Sequence, residues 1–416
     1  SEFQIMGKFV STITILLVTF SLYGQTQLKV NVSYPDPTEG RLILMISNDF
    51  SAEPRFQITD DVKSQVAAGV NIYEKSGGTT VTFPHKDQDL YPITKWEDLP
   101  GGEEYQLQAM INRYETFNLS TGHAVQLPPD MGEGQHWNTK PLNIYCQPVK
   151  VQLKKGQATE INLMLDQYIA PLPEPKNTQW VRHIKMKSEK LSKFWGRDVI
   201  LGAHVLLPRD WDKETDRNYP LMIYHGHFPS DFGGFRTEPV PADMDTSDYS
   251  SRFHIYGYKK IQQEEAYRFY QQWTHDTFPR FIIIEIQHPT PYYDDSYAVN
   301  SACQGPYGDA ITYELIPYIE KMFRGKGNGK SRFLYGGSTG GWEALAAQVF
   351  YPEEYNGCFA ACPDPIDFRA YCTVNIYDDE NAYTWDGPHH KIEKPAKRDY
   401  LGHISSTVRQ SNHFER

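Results

Sequence analysis

Basic residues are under-represented in this chain of 416 residues, in which 41 Lys and Arg face 52 Asp and Glu and leave a net charge of −11. Because a phosphate backbone would be repelled by such a surface, we exclude nucleic acid as a partner. Internal repeats and low-complexity tracts are also lacking, which excludes repeat architectures. With 39% hydrophobic and 22% charged residues, the composition indicates a globular protein of two or three domains.

Cysteine is scarce and odd in number; export would permit disulfides, and their pairing is not predicted. An odd count leaves at least one thiol unpaired within the chain. Cys358 and Cys362 lack the C-x-x-C spacing of a zinc site, and no second cluster accompanies them. Buried thiols are the simpler interpretation. The five cysteines are Cys146, Cys303, Cys358, Cys362 and Cys372.

Long apolar runs are rare as well, and the run at residues 9–23 is shorter than the roughly 20 apolar residues of a membrane span. Lys8 precedes this run and small and polar residues follow it, so residues 6–25 are predicted to form a signal peptide. An N-terminal anchor helix is the alternative. Residues 1–5 are predicted to be a cloning scar. We therefore expect export to the periplasm or the extracellular space, without stable membrane insertion after cleavage.

Two differently patterned regions follow. Residues 27–167 contain short alternating runs such as "LKVNVSY" separated by glycine and proline turns, which predicts an all-β sandwich with antiparallel strands. Residues 168–180 are rich in proline and are predicted to be an extended linker. Residues 181–416 alternate apolar strands with helical periodicity, which predicts a mostly parallel sheet covered by helices on both faces.

One motif in the second region suggests chemistry. Residues 336–340, with the sequence GGSTG, fit the pattern G-x-S-x-G between a predicted strand at 331–338 and a predicted helix at 340–350. In that context Ser338 would lie on a sharp turn as a nucleophile, and Gly336 and Gly340 would avoid collisions there. An inert serine or a phosphate-binding turn is the alternative, although the P-loop pattern is not matched.

An oxyanion needs donors beside the nucleophile. We predict the backbone N–H of Thr339 together with that of His227 or Phe228, which follow the apolar run "LMIY". His225 and His227 could share a face and bind a metal, but no third ligand stands near them in the sequence. Accordingly, no metal and no cofactor is predicted.

The stretches "LMIYHGHF", "GDAITYELIPYIEKMFR" and "LYGGSTGGWEALAAQVFYPEEYNGCFAACPDPIDF" resemble the putative-esterase branch of the α/β-hydrolases, which includes esterase D and enterochelin esterase-like proteins. The resemblance covers roughly residues 190–370. It implies an α/β-hydrolase core behind the β-sandwich and a Ser-His-Asp ester hydrolase with Ser338 as nucleophile. Members of that branch act on feruloyl and acetyl esters of sugars, siderophore esters and thioesters.

The acid and the base are harder to place, because this fold orders them after the serine. Only 78 residues follow Ser338 (416 − 338), and no apolar strand is evident after Pro365. We expect that the C-terminal strands are missing, that the acid and base lie beyond Arg416, and that the chain is then catalytically incomplete. The alternative uses residues within the chain, with Asp364 or Asp367 as the acid and a histidine as the base. The candidate histidines are His389, His390, His403 and His413.

The favoured function is a serine ester hydrolase that acts through an acyl-enzyme on a small or saccharide-linked carboxylic ester. A serine peptidase of the prolyl-oligopeptidase type is one alternative, although its propeller would need repeats that are absent here. A catalytically incomplete glycan-binding protein is the other. Asp294 and Asp295 are adjacent and cannot flank a glycosidic bond, so a solvated loop or a calcium-binding patch is predicted. The oligomeric state is not predicted.

Overall fold

A computed structural model describes residues 27–35, 38–73, 79–228, 232, 234–250, 253–292 and 294–415. The predicted cloning scar and signal peptide lie outside these ranges. The chain folds into two compact units, each made of non-contiguous segments. None of the helices in the described ranges combines the length and apolarity that crossing a membrane requires.

The first unit is built on two β-sheets that share one core. One sheet has three strands, in the order Ala158–Met164, Gln27–Tyr34 and Thr79–Phe83. The other sheet has seven strands. Six of them are hydrogen-bonded in the order Gln167–Tyr168, Ile144–Tyr145, Glu104–Arg113, Gly40–Ser47, Val66–Ile72 and Asp89–Tyr91. The seventh, Val149–Gln152, also pairs with Glu104–Arg113. Inward residues such as Val30, Leu44 and Leu107 are fully buried between the sheets.

One strand pairing differs from the predicted antiparallel sandwich. Gln27–Tyr34 pairs in parallel with Ala158–Met164 and antiparallel with Thr79–Phe83, so the smaller sheet is mixed. The alternating pattern could not have shown this, because alternation indicates which face of a strand is buried and not the direction of its neighbour.

The boundaries of the units differ from the predicted domains at two places. Residues 116–135 belong to the second unit, where the ring of Phe117 packs against Trp195 and Tyr292. Residues from Asp367 onward belong to the first unit, where Ser411 Oγ donates to Asp60 Oδ2 at 2.8 Å. Both segments are placed by contacts distant in sequence, which a boundary drawn at a linker does not detect.

The segment after Asp367 forms two hairpins and a helix. Their bounds are Thr384–Asp386 with Lys391–Glu393, Pro395–Arg398 with Ile404–Thr407, and the helix Val408–Glu415.

Elsewhere there are 3₁₀ turns at Pro54–Phe56, Trp96–Asp98, Gly329–Ser331 and Phe368–Ala370, and three small ribbons. The ribbons are Glu115–Asn118 with Ala124–Leu127, Tyr249–Ser250 with Ile255–Tyr256, and Asn300–Ser301 with Gly305–Pro306.

The second unit is organised by a six-stranded sheet whose strands we number along the chain. They are β1 (Val181–Lys187), β2 (Ile200–Leu206), β3 (Leu221–His225), β4 (Ile282–Gln287), β5 (Arg332–Gly337) and β6 (Cys358–Ala361). Their order in the sheet is β1-β2-β4-β3-β5-β6. Strand β2 is antiparallel to both of its neighbours, and β4, β3, β5 and β6 are parallel.

The longer helices that cover this sheet in the described ranges are α1 (Glu189–Trp195), α2 (Tyr258–Thr274), α3 (Ile316–Phe323) and α4 (Thr339–Phe350). A helical turn at Tyr307–Ala310 and a π-helical turn at Ile311–Leu315 lead into α3, so the observed helical run begins two residues before the predicted one at 309–323.

Helices pack on both faces of the sheet, as predicted. On one face Trp273 of α2 packs with Ile283 and Leu206. On the other face, residues of α1, α3 and α4 pack with Ile284 and its neighbours. Strand β4 is buried on both faces, which explains its unbroken apolar sequence. Among the described residues this sheet has no strand after β6, and the expected two further strands stay a prediction.

Candidate active site

The strand order of the sheet reverses at β3. The chain passes from β3 to β4 on one side and then returns to β5 on the other side. In open α/β sheets, such a reversal leaves a crevice outside the carboxyl ends of the strands, where ligands bind. His225 ends β3, His288 follows β4, and Ser338 follows β5. The sheet thus brings these three residues to one edge.

Ser338 lies on a strained turn between β5 and α4. Its backbone has φ 56° and ψ −123°, in the positive-φ region that residues other than glycine rarely adopt. Such a conformation costs about 1–3 kcal/mol and persists only where the surroundings determine it. Here Ser338 N donates to Ala361 O at 3.0 Å, and Trp342 N donates to Ser338 O at 3.1 Å. These bonds hold the turn while the side chain stays exposed.

The glycines on either side of Ser338 are required by close backbone contacts. A Cβ atom on Gly336 would lie 2.2 Å from Gly340 O and 2.7 Å from His225 O. A Cβ atom on Gly340 would lie 2.0 Å from His225 O. Because these neighbours are backbone atoms, neither position can hold a side chain without moving the strand or the helix.

Asp364 is the acidic candidate that the structure brings to Ser338. Ser338 Oγ donates to Asp364 Oδ1 at 3.4 Å, a long contact, and Thr339 Oγ1 donates to Asp364 Oδ2 at 2.9 Å. Asp364 reaches this position from the loop after β6, and its backbone N–H donates to Ser338 O at 3.3 Å. One carboxylate therefore contacts both hydroxyl groups at the start of α4.

The other predicted acid and base residues belong to the first unit. Asp367 accepts hydrogen bonds at 3.0 Å from the backbone N–H and from the side chain of Arg369. His389 and His390 are exposed in the turn between the strands Thr384–Asp386 and Lys391–Glu393. Within the described part of the second unit, no hydrogen bond joins a histidine to Ser338. The identity of the base stays a prediction.

The predicted oxyanion residues follow β3, and one of them is anchored by a carboxylate. His227 Nδ1 lies 2.5 Å from Asp295 Oδ2, and the ring of Phe228 packs on that of His227 with a centroid distance of 3.9 Å. Asp295 also accepts a hydrogen bond from Tyr297 N at 2.7 Å. Burial raises the pKa of Asp295, although the Tyr297 N–H opposes this shift. The Asp295 carboxylate thus fixes the orientation of His227.

The interpretation of Asp295 as part of a solvated loop is wrong. Its side chain is completely buried, because the loop after β4 folds back toward the end of β3. Adjacent acidic residues in a tyrosine-rich loop suggest exposure, and only the contact with His227, distant in sequence, reveals the burial. No local sequence signal marks this pair, because its members are 68 residues apart.

A buried polar cluster lies beneath the turn. His225 Nδ1 is 3.3 Å from His288 Nε2, and Glu343 Oε2 is 3.3 Å from the same His288 atom and 3.8 Å from His225 Nδ1. The exposed fractions are 1% for His225 and 0% for His288 and Glu343. Sequence reasoning missed this cluster because its members come from β3, the loop after β4, and α4. The available signal was a charged residue inside the otherwise apolar helix at 340–350.

Burial determines the charge states in this cluster. It lowers the pKa of His225 to about 3, and it lowers that of His288 well below the usual range, with the charges of His225 and His227 adding to the effect. Burial also raises the pKa of Glu343 well above its usual value, and the neighbouring carboxylate of Asp295 adds to this shift. Near neutral pH, both imidazoles in the cluster are therefore uncharged.

A comparison with known proteins found a family match in the second half of the chain. Residues 201–406 match the family described as putative esterase. No curated protein matches the chain. Similar solved structures include a ferulic acid esterase, at 20% identity over 44% of this chain and 59% of that chain with a TM-score of 0.28. An IroE-like serine hydrolase from Shewanella oneidensis shows 16% identity over 44% and 51% of the two chains, with a TM-score of 0.27.

A thermostable esterase shows 12% identity over 82% of this chain and 78% of that chain, with a TM-score of 0.27. At these identities and TM-scores, we infer neither fold nor function from the structural similarity. The chain spans less than two thirds of the length of the ferulic acid esterase and of the IroE-like protein. The family match is a separate finding, and it includes strands β3 to β6 and the turn that carries Ser338. Residues 201–406 of this chain are thus similar to the putative esterase family, and this similarity implies an α/β-hydrolase fold for that part of the chain.

Proposed function

We propose that the chain is a serine ester hydrolase in which Ser338 attacks the carbonyl carbon of a small or saccharide-linked carboxylic ester and becomes acylated. The observation that best supports this role is the strained and exposed backbone turn at Ser338. Two residues away on either side, Gly336 and Gly340 have no room for a side chain. A structural serine has no need of such strain, whereas a nucleophile on a G-x-S-x-G turn needs it to project above the sheet.

The start of α4 supplies the environment for the developing oxyanion. Helix α4 begins at Thr339, and the first N–H groups of a helix lack acceptors within the helix and lie at the positive end of its dipole. We assign the Thr339 N–H as one donor and the N–H of His227 or Phe228 as the other. Removal of one such donor typically lowers kcat about 10²- to 10³-fold.

The proton of Ser338 needs an acceptor. Asp364 contacts the hydroxyl at 3.4 Å, and we assign it as the acidic residue of the site. A serine without a hydrogen-bonded histidine is a weak nucleophile, and in a comparable hydrolase loss of the histidine lowers kcat on the order of 10⁶-fold. Because no hydrogen bond joins a described histidine of the second unit to Ser338, we expect slow turnover and acceleration by added imidazole.

Labelling with a fluorophosphonate probe tests the nucleophile. We expect one adduct, on the peptide that contains Ser338, and its loss in Ser338→Ala. Ser247→Ala is the matched control, since Ser247 is an exposed serine of the same unit whose hydroxyl donates to Asp245 Oδ2 at 2.9 Å without a strained turn. Labelling that survives Ser338→Ala, or that is lost equally in Ser247→Ala, would contradict the assignment.

The substrate class is tested separately. Acetyl, feruloyl and p-nitrophenyl esters are compared with peptide amides of matched size, with and without imidazole. We expect turnover of esters and none of amides. Preferential amide cleavage would support the peptidase alternative, and absence of both labelling and turnover would support a glycan-binding protein.

A further inference from the structure

We propose that His225, His288 and Glu343 form a zinc site buried beneath the turn that carries Ser338. The proposal goes beyond ester hydrolysis and does not depend on it, because none of the three residues is assigned a role in acyl transfer. It concerns a cluster whose members are brought together by the ends of β3 and β4 and by α4.

The spacing of the three ligand atoms fits a single small cation. His225 Nδ1, His288 Nε2 and Glu343 Oε2 form a triangle with sides of 3.3, 3.3 and 3.8 Å. The point equidistant from the corners of this triangle lies about 2.0 Å from each, which is the usual length of Zn–N and Zn–O bonds. A tetrahedral ion would lie slightly out of the plane of these three atoms and therefore slightly farther from each of them.

Glu343 lacks a Lys or Arg partner among the described residues. Its side chain is fully buried on α4, and it shares a hydrogen bond with the carboxyl group of Asp295 instead. The neighbouring charged group is Asp295, a second buried carboxylate. Buried carboxyl groups are normally hydrogen-bonded, paired with a cation or bound to a metal. A metal ion bound by this cluster would supply positive charge beside the two buried carboxyl groups.

A second hydrogen bond orients one of the ligands. His288 Nδ1 lies 3.1 Å from Ser296 Oγ, and Ala298 N donates to the same oxygen at 3.1 Å. When His288 donates its Nδ1–H to Ser296, its Nε2 carries the lone pair that faces the cluster. Zinc-bound histidines usually have such a bond on the other ring nitrogen, because it fixes the tautomer and the ring orientation.

The ligand set favours zinc among common ions. Two imidazoles and one carboxylate form a known three-ligand zinc set, in which a water molecule occupies the fourth position. Calcium and magnesium prefer sets made of oxygen atoms. In the sequence alone, a metal at His225 and His227 is not predicted, because no third ligand stands near them. In the fold His227 turns to Asp295, and His288 and Glu343 supply the other ligands.

Metal analysis tests the proposal. The purified chain is stripped with EDTA, incubated with zinc chloride and dialysed, and its zinc is measured by plasma mass spectrometry. We expect about one zinc per chain, a higher Tm in zinc than in EDTA, and visible absorption of a tetrahedral site after replacement by Co²⁺. Absence of retained zinc in the parent chain, with Tm unaffected by EDTA, would overturn the site without any variant.

Variants locate the ion. His288→Gln and Glu343→Gln should lose the zinc and the zinc-dependent rise in Tm, with unchanged far-UV circular dichroism. Ser296→Ala leaves the three ligands in place and should weaken zinc binding about 10- to 100-fold. The matched control is His204→Gln, since His204 is a buried histidine 3.8 Å from Glu285 in the same sheet. Zinc retained in both ligand variants, or lost equally in His204→Gln, refutes the assignment.

Discussion

Replacing Gly340 by alanine tests the packing on which the Ser338 turn depends. The added Cβ would lie 2.0 Å from His225 O, 2.6 Å from His225 C and 3.1 Å from Gly226 Cα. All three are backbone atoms, so no side chain can rotate away. Since real Cβ atoms do not approach other atoms closer than 3.0 Å, α4 and β3 must separate by at least 1.0 Å, the difference between 3.0 and 2.0 Å.

This displacement should affect both stability and labelling. Overpacking of a well-packed core costs about 1–3 kcal/mol, and a contact made only with backbone atoms belongs at the upper end. For a unit of this size, about 3 kcal/mol corresponds to a decrease in Tm of roughly 6–12 °C. A shift of about 1 Å at the reacting centre lowers the rate about 10²-fold. We therefore expect a markedly lower Tm and about 100-fold slower fluorophosphonate labelling of Ser338.

Gly337→Ala is the matched control, one residue before the serine. A Cβ atom there meets only Ala361 O, at the ordinary contact distance of 3.8 Å. Gly337 is also exposed, so the substitution should leave Tm and the labelling rate nearly unchanged. The two rates are measured side by side, with Tm from differential scanning calorimetry. If Gly340→Ala matched the parent in both measurements, or if Gly337→Ala were equally damaging, the packing argument would be refuted.

Two further predictions concern the acid and the base. Asp364→Ala removes the acceptor of the Ser338 hydroxyl and should slow fluorophosphonate labelling at least about 10-fold. The control, Asp367→Ala, should leave the labelling rate unchanged. Equal labelling rates for the two variants would show that Asp364 is not part of the site. His389→Gln combined with His390→Gln should leave the labelling of Ser338 unchanged, and a loss comparable to that of Ser338→Ala would instead identify one of them as the base.

The turn at Ser338 could be predicted because its information is local. A short apolar strand, four glycines and an alanine-rich helix follow one another within residues 332–350, and each shapes the backbone of its neighbours. Strand β4 was predictable for a similar reason, since an unbroken apolar run must be covered on both faces. The alternation of strands and helices then predicted the type of sheet.

The buried cluster could not be predicted in the same way. His225, His288 and Glu343 belong to three different elements, and each has a more ordinary explanation when it is considered alone. Their meeting depends on the reversal of strand order at β3, which no local pattern encodes. The placement of the segment after Asp367 on the first unit was unpredictable for the same reason, because its contacts are with residues such as Asp60, far away in sequence.

His225 belongs to both the turn and the buried cluster, and this links the two proposals. Its carbonyl oxygen fills the space beside Gly340, while its ring nitrogen faces His288 and Glu343. A substitution that moves the His225 backbone should therefore also disturb the zinc ligand. Energetic coupling between two sites is reciprocal. We therefore expect zinc to raise the free energy of unfolding of the parent more than that of the Gly340→Ala variant. The difference should equal the loss in zinc-binding free energy that the substitution causes. Equal zinc affinities for the two proteins, despite a lower Tm for the variant, would show that the cluster and the turn are energetically independent.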